Sequence, residues 1–140
     1  MSTRLPYCTL DVFTNRRHAG NPLAVVFLAD GVADDLQHAI AREFNLSETV
    51  FVQRPHTPDG VANLRIWTPG GELPFAGHPT VGTAWALGQR GAGVEFVVEE
   101  RVGAIHCQAD AAGARFRLPR LPRTLDSAAR PDWSRLLGIA

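Results

Sequence analysis

Between residues 72 and 87 the chain reads Glu-Leu-Pro-Phe-Ala-Gly-His-Pro-Thr-Val-Gly-Thr-Ala-Trp-Ala-Leu, a glycine-containing turn that opens into a helix. Pro79 suits the first helical position, and Val81, Trp85 and Gly88 fall near one face. The small residues Gly82, Thr83, Ala84 and Ala86 let this helix approach its surroundings closely, which points to a central helix wrapped by a sheet. It is expected to end around Gly91 to Gly93.

The flanking segments supply the sheet. Tyr7 to Phe13 alternates in polarity and reads as a strand, and Gly20-Asn21-Pro22 turns it back into the apolar run Leu23 to Leu28, so a hairpin is expected. Asp34 and Asp35 are candidate caps for a helix whose Leu36, Ile40 and Phe44 share a face, with Asn45 able to take the left-handed stop. Thr49 to Gln53 is a further strand. In Val61 to Thr68, Ala62, Leu64 and Ile66 alternate with Asn63, Arg65 and Trp67, the pattern of a half-buried strand closed by Pro69-Gly70-Gly71. Val94 to Glu100, Val102 to Ala109 and Ala114 to Leu118 complete the set. Pro119, Pro122 and Pro131 then mark an aperiodic linker, and Trp133 to Ala140 looks like the start of another element.

At 140 residues the chain accommodates one domain, expected over 1–118, with 119–140 as linker and the beginning of a second half. Fourteen basic and fourteen acidic side chains cancel, and the arginines do not interleave with aromatics, which argues against nucleic acid as a partner. Cys8 and Cys107 stand in separate apolar runs without metal or redox spacing, so both read as buried thiols. No signal-like or membrane-spanning run is present, and a cytoplasmic protein without a metal site is the expectation.

Chemistry concentrates in two places. A helix beginning at Gly77 offers unpaired N–H groups and the positive end of a dipole, so the Gly77–Thr80 turn can hold a carboxylate or phosphate. His78 is open to three roles there: general acid, donor to a substrate, or helix cap. Glu48, at a helix-to-strand junction, is either a surface carboxylate or an acid/base group pointing out of the sheet end; a partly buried carboxylate of this kind can move a proton between carbons. No P-loop, nucleophile elbow, paired carboxylate or metal set competes.

Three blocks, Asp11 to Phe27 (DVFTNRRHAGNPLAVVF), Asn45 to Val52 (NLSETVFV) and Ile66 to Leu87, resemble the signature blocks of the N-terminal half of the PhzF-like family, the phenazine-biosynthesis isomerases of the diaminopimelate epimerase fold. The resemblance implies an α+β half-barrel, a mixed and mainly antiparallel sheet around a central helix, followed by a similar second half. It also implies a cofactor-free isomerase, with Glu48 as the acid/base and His78 holding a small carboxylated cyclic substrate beside Gly77 and Thr80. The type reaction isomerises trans-2,3-dihydro-3-hydroxyanthranilate. Ala76-Gly77-His78-Pro79 stands where a diaminopimelate epimerase carries a thiol, so a two-cysteine racemase mechanism is not expected. Because family sites lie between two halves, three situations are compatible with this length: a fragment, a half-length homodimer, or a non-catalytic binding or dimerisation module. The abrupt ending at Leu136 to Ala140 favours a fragment or a truncated gene product.

Overall fold

The computed structural model describes residues 4–118, together with 120, 134, 135 and 138. The expected linker and the beginning of a second half lie outside the described residues apart from those four positions. In chain order the elements are β1 (Tyr7–Val12), β2 (Asn21–Val26), α1 (Asp34–Phe44), β3 (Glu48–Gln53), β4 (Gly60–Thr68), β5 (Gly71–Leu73), α2 (Gly77–Gln89), β6 (Glu95–Glu100), β7 (Gly103–Ala109) and β8 (Ala114–Phe116).

The strands form one sheet in the order β1-β2-β3-β4-β6-β7-β8, with β5 added to β4. β2–β3 and β4–β6 are parallel and the other pairs antiparallel, so the sheet is mixed and mainly antiparallel as expected. Its alternation sorts two cores. Val50 and Val52, Leu64 and Ile66, Phe96 and Val98, and Ile105 and Cys107 pack with α2, whereas Val26, Phe51 and Trp67 form a second cluster with Ala41 of α1. Both faces of β4 are therefore covered, and Trp67 is buried rather than half-exposed.

The small residues of α2 are used as contact points. A Cβ on Gly82 would lie 2.6 Å from Leu23 Cδ2, and one on Gly88 would lie 2.7 Å from the Cβ of Ala109. The second collision has no rotamer to relieve it, because a Cβ is fixed to its backbone. Gly88→Ala is thus expected to destabilise the protein by about 1–3 kcal/mol through overpacking, despite the better helix propensity of Ala; urea unfolding measures it, and an unchanged midpoint would contradict the close approach.

Several expectations shift. Asn45 does stop α1 in the left-handed conformation, with φ 52°. The buried face of α1, however, centres on Gln37 and Ala41, and Leu36 is exposed. Gln37 is fully buried because it bridges the Val32 carbonyl and the Trp67 indole N–H, so a polar residue occupies the position that an apolar period would assign to Leu36. Neither aspartate caps α1: the N-cap is Ala33, and Asp34 accepts a hydrogen bond from Arg65 instead. Pro79 is the third residue of α2 rather than the first, and the helix ends at Gln89. β1 stops at Val12 because Phe13 adopts a left-handed φ of 64°.

Candidate active site

Glu48 opens β3, where it pairs with Leu23 in parallel register, and its side chain lies on the α2 face of the sheet. The first turn of α2 approaches the same sheet end. There His78 Nδ1 lies 2.8 Å from Glu48 Oε2, and His78 Nε2 lies 3.1 Å from the Asn21 carbonyl oxygen. The Asn21 carbonyl can only accept, so Nε2 carries a hydrogen. The other nitrogen then shares one proton with Glu48: either an imidazolium donates to the carboxylate, or the carboxylic acid donates to a neutral ring. Both side chains are mostly buried, at 10% exposure for His78 and 18% for Glu48. The ring of Phe13, which is 74% exposed, sits 5.9 Å from the imidazole and borders the pair.

His78 is therefore not the helix cap. Ala76 is the N-cap residue, without a side-chain hydrogen bond, and the imidazole is turned towards the sheet. Thr80 is also placed differently from a substrate contact: it is fully buried, and its hydroxyl lies 2.6 Å from both the Ala76 carbonyl and Glu100 Oε1. The Thr80 N–H bonds Ala76, and Pro79 has no N–H, so among the described residues Gly77 and His78 carry the N–H groups of the first turn without a backbone partner. A Cβ added at Gly77 would meet the Phe116 ring at 3.6 Å, an ordinary contact.

A phenazine biosynthesis-like family model matches residues 10–122. The chain belongs to this family. An uncharacterized isomerase of Mesorhizobium japonicum is 51% identical over 94% of the chain and 46% of its own length. The trans-2,3-dihydro-3-hydroxyanthranilate isomerase of Pseudomonas aeruginosa is 46% identical over 71% of the chain and 35% of its own length. Among solved structures, a PhzF-family phenazine biosynthesis protein of Bacillus anthracis matches with 32% identity and a TM-score of 0.69, covering 79% of this chain and 38% of that one. A predicted epimerase of Pseudomonas aeruginosa matches with 32% identity and a TM-score of 0.70, over 80% and 41% respectively. The chain thus spans less than half the length of these relatives, and its PhzF-like α+β architecture agrees with theirs.

Other polar groups pair away from Glu48 and His78. Arg65 bonds Glu72 and Asp34 and lies over the Trp67 ring, and Arg101 joins Glu72 at 3.0 Å. Glu99 accepts hydrogen bonds from Thr57 and from the His56 backbone, which together hold its carboxyl down to about 2. Both cysteines are free, and burial pushes both thiols up, Cys107 to about 12 with help from the Glu100 charge. Among the described residues no His, Cys, Asp and Glu cluster of three could hold a metal, and no helix is long and apolar enough to cross a membrane.

The sequence reading missed three residues: Phe13, the Asn21 carbonyl and Glu100. Only Glu100 carried a signal, since it occupies the apolar phase set by Phe96 and Val98.

Proposed function

We propose that this chain supplies the acid/base half of a cofactor-independent isomerase site that moves a proton between carbons of a small carboxylated cyclic substrate. The observation that carries the reading is the 2.8 Å Glu48–His78 contact, with the far ring nitrogen anchored on Asn21. The N–H groups of Gly77 and His78 hold the substrate carboxylate at the helix N-terminus. The Glu48 carboxylate takes a proton from one ring carbon while the C–H electron pair moves into the conjugated system. The resulting acid returns a proton at another carbon, so atoms and charge balance without an external oxidant. His78 fixes the carboxylate through Oε2 and supplies or accepts the hydrogen on that oxygen as the charge changes, which leaves Oε1 for the substrate proton. The trans-2,3-dihydro-3-hydroxyanthranilate isomerase relatives make that compound the first substrate to try. A second half, from a homodimer partner or from another chain segment, closes the cleft and excludes water.

Deuterium incorporation from solvent into trans-2,3-dihydro-3-hydroxyanthranilate, with solution mass measured on the same sample, tests this. Catalysed exchange is the expected result in a closed assembly. A chain that is dimeric and binds the compound yet exchanges no proton would be a binding or dimerisation module instead.

A further inference from the structure

The other side of the same helical turn holds a second carboxyl group. Thr80 Oγ1 lies 2.6 Å from the Ala76 carbonyl oxygen and 2.6 Å from Glu100 Oε1. A hydroxyl has one hydrogen to donate, and a carbonyl oxygen has none. Two oxygen–oxygen contacts of this length therefore need a second hydrogen, and only the Glu100 carboxyl can bring it. The Thr80 hydroxyl donates to Ala76, and Glu100 donates to Thr80. The other Glu100 oxygen, Oε2, is buried without a hydrogen-bond partner among the described residues, and the residue is only 6% exposed. An ionised carboxylate would leave that oxygen as a bare charge in the core, whereas a neutral acid leaves only a weak acceptor. Burial also pushes Glu100 up to about 7, against the opposing effect of its bond to Thr80.

We infer that Glu100 is a positioning residue that works as a protonated acid: through Thr80 it holds the Ala76–Thr80 turn from which Gly77 and His78 reach the site. Loss of its proton would turn the Thr80 hydroxyl towards the new carboxylate and leave the carbonyl of Ala76, the N-cap of α2, with the longer bond from the Thr80 N–H alone. The groups around it leave the proton in place. α2 presents the uncharged Thr80, and β7 presents Cys107, whose raised thiol stays neutral across the working range. The chain neighbours are engaged elsewhere, Glu99 with His56 and Thr57 and Arg101 with Glu72. His78, in the same turn, is paired with Glu48 of β3.

The inference rests on the proposed function only for what the turn does, so its test reads the proton rather than turnover. Carbon NMR of the glutamate carboxyls in the 140-residue chain, followed against pH alongside the His78 ring signals, is the experiment. The expected result is a Glu100 carboxyl still neutral at pH 6, and a His78 ring that shifts at the Glu100 midpoint; in Glu100→Gln, whose amide N–H replaces the acid donor, that His78 step disappears. A Glu100 carboxyl already ionised at pH 6 would overturn the inference, and so would a His78 ring that ignores its titration. If Glu100→Gln fails to fold, the wild-type titration alone still decides, because both signals are read in it. Failure of the deuterium exchange assay with this titration intact would count against the proposed function and leave the Glu100 assignment standing.

Discussion

Glu48→Gln is expected to lower proton exchange by about 10²–10⁴-fold, the span that positioned acid/base groups contribute, with little change in thermal stability. The two halves of this expectation come from the same contact. Because the His78 Nε2 hydrogen is committed to Asn21, a neutral imidazole presents a bare Nδ1 to residue 48. A glutamine amide can donate to that nitrogen, so the hydrogen bond and the helix position survive. What does not survive is a group able to take a proton from carbon and give it back. The effect should fall on kcat rather than KM, since the N–H groups of Gly77 and His78, proposed to bind the substrate carboxylate, are untouched. Deuterium incorporation is to be compared in whichever assembly exchanges with the wild-type chain, with unfolding followed in parallel. Wild-type exchange by the variant would remove Glu48 from the mechanism. A loss of exchange accompanied by a collapsed melting temperature would instead assign Glu48 a structural role.

The wrapped helix, the hairpin and the strand over Thr49 to Gln53 were legible because each rests on local chemistry, although the strand in fact begins one residue earlier, at Glu48. Small residues in α2, turn residues at Gly20 to Pro22 and the left-handed Asn45 need no knowledge of distant partners. The errors arise where a long-range partner overrides a local preference. Asp34 would cap a helix in isolation, but Arg65, 31 residues away, binds it. Leu36 fits an apolar period, yet Gln37 is buried because the Trp67 indole requires an acceptor. His78 looked like a cap candidate because nothing in its immediate sequence shows Glu48, which stands 30 residues upstream and becomes its neighbour only through β3. Thr80 is the reverse case. Its position in a helix N-terminal turn suggested a ligand contact, and the inward-facing Glu100 of β6 occupies its hydroxyl.

Glu100 also sets a pH dependence of stability with a definite sign. Its carboxyl is raised from the ordinary 4.5 to about 7 by burial in the folded chain. Below pH about 4.5 both folded and unfolded chains hold the proton, and the contribution is fully present. Between about 4.5 and 7 the unfolded chain releases the proton while the folded chain keeps it, so the unfolded state binds fewer protons and stability falls as pH rises. Above about 7 both forms are ionised and the loss is complete. At about 1.4 kcal/mol for each pH unit of separation, the loss is about 3 kcal/mol, a large part of a small domain's stability. Glu99 acts in the opposite direction and in a separate window: its depressed carboxyl gives stability that is lost as pH falls from the ordinary 4.5 towards about 2. Urea unfolding of the wild type and Glu100→Gln between pH 4.5 and 8 isolates the Glu100 contribution, because the other titrating groups are common to both chains. The difference in stability should move in favour of the variant by about 3 kcal/mol across that range, and a difference that stays flat would mean that the folded and unfolded chains release this proton together.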